Sequence, residues 1–123
     1  MLNPHSSRAY YNLGYAYVLS GKIEDALHAF RQTSKIEPRF SQSFNNQGWC
    51  LWQLKRYAEA EEAFKRAIEI DPNFLEALYN LSMIYKLTGR YDEAIKALKT
   101  VLEINPQYPK AQEQLKEIES LFL

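Results

Sequence analysis

The chain has 123 residues, of which 46% are hydrophobic and 24% are charged, a composition that fits one folded domain and excludes an intrinsically disordered chain. Its 15 Lys and Arg residues balance its 15 Asp and Glu residues, and a zero net charge disfavours binding to nucleic acid or to an anionic membrane surface. Because the sequence has no bilayer-spanning run, no signal-peptide pattern and one cysteine, Cys50, a cytoplasmic location is the default expectation.

A period of 34 residues runs through the whole sequence. Prolines recur at this step, as Pro4, Pro38, Pro72 and Pro106. Three further series keep the same step: Ala26, Ala60 and Ala94; Phe30, Phe64 and Leu98; and Asn12, Asn46 and Asn80. So many series with one common period indicate an array of structural repeats.

Each period predicts two antiparallel helices, because apolar residues recur three and four positions apart on both sides of a central break. The breaks lie at Ser20-Gly21, at Leu54-Lys55-Arg56 and at Thr88-Gly89, and glycine suits the left-handed turn that closes a helix. Lys55, which replaces glycine in the second break, is expected to cost about 1 kcal/mol. Each proline then ends the second helix. The predicted helices span 7–19 and 23–36, 41–53 and 57–70, and 75–87 and 91–104.

A last helix is predicted from Pro109 to Leu121, with Ala111, Leu115 and Ile118 on one face and charged residues on the other. Such a helix caps the final pair and keeps the array soluble. The predicted organisation is one domain made of a tail or the end of a preceding repeat (1–6), repeat 1 (7–40), repeat 2 (41–74), repeat 3 (75–108) and the capping helix (109–123). Because the opening residues read like the end of another unit, we expect a piece of a longer array or an added start codon.

The three units closely resemble the tetratricopeptide repeat over residues 7–108. The matching residues of the first unit are Tyr10, Leu13, Gly14, Tyr17, Ala26, Phe30 and Pro38. Those of the second are Phe44, Gly48, Tyr57, Ala60, Phe64, Ala67 and Pro72, and those of the third are Tyr85, Gly89, Tyr91, Ala94 and Pro106. The departures are Gln47 for leucine, Ser82 for glycine, and Thr33 and Val101 for alanine. The resemblance implies an all-α fold, a right-handed α-solenoid of three helix pairs plus the C-terminal capping helix.

In this family the first helices line a concave surface on which extended peptides or helices bind. By register, the resemblance places ten residues of this chain in such a groove: Tyr11, Asn12, Tyr15, Asn45, Asn46, Trp49, Trp52, Tyr79, Asn80 and Met83. They are rich in aromatic rings and amides and carry no charge, as is typical of a protein contact surface. Trp52 has an alternative position, packed against the adjoining unit.

The three asparagines carry a sharper hypothesis. First helices about 10 Å apart and a peptide that advances about 3.3 Å per residue would let Asn12, Asn46 and Asn80 each hold one backbone amide, as the resemblance to the repeats of the O-linked N-acetylglucosamine transferase implies. The alternative is that these asparagines form hydrogen bonds only within the array.

One family specialisation is disfavoured. Some members grip the acidic C-terminus of heat-shock chaperones with lysines, an arginine and asparagines, and those positions hold Tyr11, Tyr15, Asn46, Glu76 and Asn80 here. Only Asn46 matches, and Glu76 would repel a carboxylate.

No catalytic, cofactor or metal site is predicted. His5 and His28 have no ligand cluster beside them, the glycines form no phosphate-binding loop, and Cys50 falls where the family has a small packed residue, so an inert thiol is expected. The prediction is therefore a non-enzymatic protein–protein interaction module for a peptide or protein partner. The alternatives are a scaffold piece that associates weakly end to end through the apolar residues 121–123, and an accessory domain of a larger enzyme.

Overall fold

Helices account for all the regular secondary structure in residues 6–123, the part of the chain that the computed structural model describes. They are α1 (Ser7–Leu19), α2 (Ile23–Ile36), α3 (Ser41–Gln53), α4 (Tyr57–Ile70), α5 (Leu75–Leu87), α6 (Tyr91–Ile104) and α7 (Ala111–Ser120). The first six have the bounds that the sequence predicts. The proposed tail at 1–6 lies outside the described residues except for Ser6, whose side chain accepts a hydrogen bond from Ala9 N at 3.1 Å and caps α1.

The three breaks within the helix pairs have one backbone geometry. Gly21, Lys55 and Gly89 have φ angles of 74°, 61° and 78°. The next amide in each case donates to a carbonyl five residues back at 2.8 Å, as Lys22 N does to Tyr17 O. This is the Schellman ending of a helix. The prediction that Lys55 occupies a glycine conformation is confirmed.

The C-terminal helix begins two residues later than predicted. Lys110 adopts the left-handed conformation, with φ of 65°, so residues 109 and 110 form a turn and α7 begins at Ala111. The predicted inner face is otherwise confirmed, since Ala111 and Ile118 are fully buried and Leu115 is partly buried.

Two compact units make up the chain, Met1–Pro72 and Asn73–Leu123. In the first, α1 packs on α2, α2 on α3 and α3 on α4. Small residues allow these close approaches, because Ala26 and Ala60 are fully buried beside the buried rings of Phe30 and Phe64. Burial of each such ring stabilises the fold by roughly 1.5–3 kcal/mol.

The second unit contains α5, α6 and α7, with α6 packed on both of the others. Its core includes Ala94, Leu98 and Val101 of α6 and Ile118 of α7, none of which is exposed to solvent. No helix of residues 6–123 is both long enough and apolar enough to cross a membrane.

A buried polar network stands where the family pattern has a leucine. Gln47 is 6% exposed, and its Nε2 donates to Phe30 O at 3.3 Å, Ser34 Oγ at 2.6 Å and Ser43 Oγ at 3.2 Å. Ser43 Oγ also donates to Phe30 O at 2.8 Å. The amide is tolerated in the α2–α3 contact because the buried polar atoms find partners there.

Candidate functional site

Two tyrosines of α1 and one asparagine of α3 meet at the surface of the first unit. Asn46 Nδ2 donates to Tyr11 Oη at 3.2 Å and to Tyr15 Oη at 3.5 Å. Tyr11 Oη donates to Tyr15 Oη at 3.3 Å. The spacing of one helical turn brings both phenols to the same face of α1, and the contact of α1 with α3 residues completes the group. We call Tyr11, Tyr15 and Asn46 the tyrosine–asparagine cluster.

Neighbouring aromatic rings pack against the two tyrosines of the cluster. Their centroids lie 5.1 Å apart in an edge-to-face arrangement, and each is 5.7 Å from the ring of Phe30. Phe40, the residue before α3, lies 5.0 Å from Tyr11. Such aromatic pairs stabilise one another by roughly 0.5–1.5 kcal/mol beyond burial. Tyr15 is nevertheless 42% exposed, so the cluster presents ordered rings and hydroxyls to solvent.

The second unit repeats this ring pair two periods later. Tyr79 and Tyr108 follow Tyr11 and Phe40 by 68 residues in the sequence, and their centroids lie 5.6 Å apart. Burial raises the pKa of Tyr79, and the charge of Glu113 raises it further. Burial likewise raises the pKa of Tyr108, with Glu76 and Tyr79 adding to it. Both phenols therefore stay neutral at physiological pH.

Tyr79, Met83 and Lys86 lie on one face of α5, and α7 contacts the end of this face at Lys86. Lys86 Nζ donates to Gln114 Oε1 at 2.7 Å and pairs with Glu117 at 3.2 Å. Met83, between Tyr79 and Lys86 on the same face, is only 9% exposed. The prediction that Met83 lines an open groove is therefore wrong. The sequence register did not take into account that α7 and the turn before it contact the residues on both sides of Met83.

Asn45 is the second predicted groove residue that the structure corrects. Its side chain is 1% exposed, so a ligand in solvent cannot reach it. A buried amide persists only where it is hydrogen-bonded, and Asn45 does take part in an interaction within the chain.

The other predicted groove residues retain some exposure. Asn12 is exposed, and Trp49, Trp52 and Asn80 are partly exposed. Asn80 takes part in an interaction within the chain, and Asn46 donates to the two tyrosines. Asn46 therefore makes the internal hydrogen bonds that the sequence left open as an alternative. Whether Asn12, Asn46 and Asn80 form a ladder along a bound peptide stays a prediction.

Three residues of these surfaces were not predicted. Phe40 and Tyr108 belong to an aromatic series of period 34, Phe40, Phe74 and Tyr108. Phe40 and Phe74 directly precede α3 and α5, and Tyr108 lies three residues before α7. Gln114 continues the asparagine series by one more step from Asn80. The same periodicity that located the other registers could have found all three.

Chemically reactive groups are sparse in the described part of the chain. No group of three or more His, Cys, Asp or Glu side chains with a metal-binding arrangement occurs among residues 6–123. Cys50 is fully buried, and burial raises the pKa of its thiol to about 12. The thiol is therefore protonated at neutral pH and is a poor nucleophile.

Comparison with known proteins agrees with the repeat geometry. Two family models, both described as tetratricopeptide repeat, match residues 11–74 and 51–117. The chain belongs to the tetratricopeptide repeat family. Together the two matches cover both compact units, and the all-helical fold is the one expected of a tetratricopeptide repeat array. A search of curated proteins finds no match.

Several solved tetratricopeptide repeat structures have the same fold at low sequence identity. The first repeat domain of Spaghetti (RPAP3), bound to the HSP90 peptide SRMEEVD, superimposes with a TM-score of 0.91 at 20% identity and covers 98% of this chain and 96% of that one. MamA gives 0.91 at 21% identity, over 96% and 69% of the two chains. The Arabidopsis OM64 repeat domain gives 0.88 at 19% identity, over 93% and 94%.

Proposed function

We propose that the chain is a protein–protein interaction module, and that the tyrosine–asparagine cluster of the first unit forms the centre of its peptide-binding surface. The carrying observation is the hydrogen-bonded arrangement of Tyr11, Tyr15 and Asn46 above a buried Phe30 ring. Interface hot spots favour rigid aromatic side chains with a polar tip, because they offer a large contact area at little entropic cost. Asn12, Trp49 and Trp52, which are exposed or partly exposed, are proposed to extend this surface.

The likeness to a peptide-bound repeat domain supports the general class of ligand. The first repeat domain of Spaghetti (RPAP3) is bound to a peptide, and this chain has the same fold over nearly its full length. The acidic sequence of that peptide, however, is not proposed as the ligand here. Tyr11, Tyr15 and Asn46 carry no charge, and a carboxylate without a counter-charge is costly to bury.

We propose no catalytic role for the chain itself, and we propose a cytoplasmic location. Its partner is a protein or peptide, and neither nucleic acid nor a membrane surface is proposed, because the 15 basic and 15 acidic residues cancel. An accessory role within a larger enzyme is compatible with this function, since the site described is one for binding.

A peptide-library screen followed by variants of the cluster tests this proposal. The double variant Tyr15→Ala/Asn46→Ala removes one exposed ring and the amide that joins α1 to α3, so the affinity of selected peptides should fall at least tenfold, about 1.4 kcal/mol. His28→Ala is the matched control, because His28 is exposed on α2. If circular dichroism stays helical and every selected peptide binds the double variant as well as it binds the control, the cluster is not the binding site.

End-to-end self-association is a second candidate function. Leu121, Phe122 and Leu123 are 59%, 61% and 106% exposed, and the Phe122 ring lies 5.9 Å from Tyr91. Exposed apolar side chains of this kind favour association when they form a contiguous patch. Light scattering over a concentration series decides the matter. The candidate is supported if the particle mass rises with concentration and the Phe122→Ser variant stays monomeric. A wild-type chain that is monomeric at every concentration rules it out.

A further inference from the structure

The hydrogen bonds of the tyrosine–asparagine cluster end in one outward-facing donor. Tyr15 Oη accepts from Tyr11 Oη at 3.3 Å and from Asn46 Nδ2 at 3.5 Å. Two such bonds occupy the lone pairs of a phenol oxygen. The O–H of Tyr15 donates to no atom in residues 6–123, and the side chain is 42% exposed. Tyr15 Oη therefore offers a donor, and both of its lone pairs are already in use.

This one-sided hydrogen bonding selects among peptide conformations. A bound helix uses most of its carbonyls in its own hydrogen bonds, so only its last turn would offer unpaired carbonyls to the Tyr15 hydroxyl. An extended strand presents N–H groups as well as carbonyls, and an N–H group facing Tyr15 would lose its water without gaining an acceptor. Proline carries a carbonyl and no N–H. A proline-containing segment therefore satisfies the donor and leaves no group of its own unpaired.

The rings and the charge of the cluster favour the same class of ligand. Tyr15 and Phe40 lie 5.1 Å and 5.0 Å from the Tyr11 ring, so the three rings form one aromatic surface. Grooves lined by aromatic rings are the usual docking sites of proline-rich segments. The polyproline II helix is already formed in the free peptide, so binding costs little conformational entropy. Tyr11, Tyr15, Phe40 and Asn46 are all uncharged, so an acidic tail would bury its carboxylate without compensation.

We propose that the tyrosine–asparagine cluster binds a proline-rich segment in the polyproline II conformation, with one ligand carbonyl accepting a hydrogen bond from Tyr15 Oη. This inference rests on the proposed function and narrows it to one class of ligand. Proline-rich sequences in partner proteins are the natural source of such segments.

A titration with an acetylated and amidated hexaproline peptide tests the inference. Backbone amide spectra of the full chain should shift for residues of α1 and α3. Tyr15→Phe keeps the ring and removes only the donor, so its dissociation constant should rise about fivefold, the usual worth of one hydrogen bond. Tyr10→Phe removes a hydroxyl from the same helix outside the cluster and should leave the affinity unchanged. Equal affinities of hexaproline for Tyr15→Phe and the wild-type chain would overturn the inference.

Two further probes separate failure of this inference from failure of the proposed function. The acidic peptide SRMEEVD and an alanine-based helical peptide are titrated under the same conditions. Binding of either of them, or of a library peptide without proline, at the cluster while hexaproline leaves the spectra unchanged overturns the inference and preserves the interaction module. Absence of any peptide that shifts the cluster overturns both.

Discussion

Gly14 and Phe30 fit so closely that a β-carbon on residue 14 would lie 2.5 Å from Cε1 of the ring. Gly48 and Phe64 have the same relationship one repeat later, again at 2.5 Å. In the third repeat the corresponding positions hold Ser82 and Leu98, both fully buried. Serine therefore replaces glycine in the repeat in which leucine replaces phenylalanine. The combined size of the two side chains limits how closely the two helices of a pair can approach.

This relationship predicts the effect of Gly48→Ser. Replacing a glycine inside a helix by alanine normally stabilises the fold by up to roughly 1 kcal/mol. At position 48, however, a side chain would overpack the Phe64 ring, which costs roughly 1–3 kcal/mol. Gly48→Ser should therefore be destabilising. The double variant Gly48→Ser/Phe64→Leu, which copies the third repeat, should recover part of the loss. Urea unfolding measures the free energies. Simple addition of the two single effects would show that the residues are not coupled in this way.

The Lys55→Gly variant should be more stable than the wild-type chain. Lys55 holds the positive φ of 61° that glycine holds in the other two breaks, and this conformation costs an ordinary residue roughly 1 kcal/mol. Glycine gives up part of that gain through the greater entropy of its unfolded chain. Thermal unfolding should show a raised midpoint, and the reciprocal variant Gly21→Lys should show a lowered one. A lowered midpoint for Lys55→Gly contradicts the prediction.

Burial of Cys50 predicts a loss of stability in alkali. The thiol pKa is about 12 in the folded chain and near 9.0 when the thiol is in water. The folded state therefore keeps a proton that the unfolded state releases. The protonated thiol therefore leaves the free energy of unfolding unchanged below pH 9. Between about pH 9 and 12 that free energy falls by up to about 1.36 kcal/mol per pH unit.

The comparison with Cys50→Ala isolates this contribution, because tyrosines and lysines titrate in both proteins. Denaturant unfolding at several pH values should show a steeper alkaline decline for the wild-type chain than for the variant. A thiol reagent at pH 8 should modify the folded wild-type chain slowly and the unfolded chain fast. Parallel declines, or rapid modification of the folded chain, would be inconsistent with a buried thiol.

Lys86 should hold α7 in place. Its ammonium group joins Gln114 at 2.7 Å and Glu117 at 3.2 Å, and it is partly shielded from water. Lys86→Ala should weaken the docking of α7 by roughly 0.5–1 kcal/mol, and amide hydrogen exchange should accelerate in α7 more than in α6. Lys99→Ala, an exposed residue of α6, is the control. Equal exchange in Lys86→Ala and the control would show that these contacts contribute little.

The helices were predictable because each boundary has a local physical cause. A left-handed residue follows the first helix of each pair, and a proline follows the second helix. Both signals recur with the 34-residue period. The candidate site was only partly predictable. The register correctly placed Tyr11, Tyr15 and Asn46 on neighbouring first helices, but burial depends on the surrounding structure. Met83 shares a register with Tyr15, which is exposed, and Asn45 shares one with Tyr11, which is partly exposed, yet Met83 and Asn45 are both buried.

The central claim is that the cluster of Tyr11, Tyr15 and Asn46 is where this chain holds another polypeptide. The most direct measurement is an amide chemical-shift map of the full chain with a peptide selected from an unbiased library. The account predicts that the largest shifts fall on residues around 11, 15 and 46 and that Tyr15→Ala/Asn46→Ala abolishes them. Largest shifts on the outer faces of α2, α4 and α6, unchanged in that variant, would contradict it.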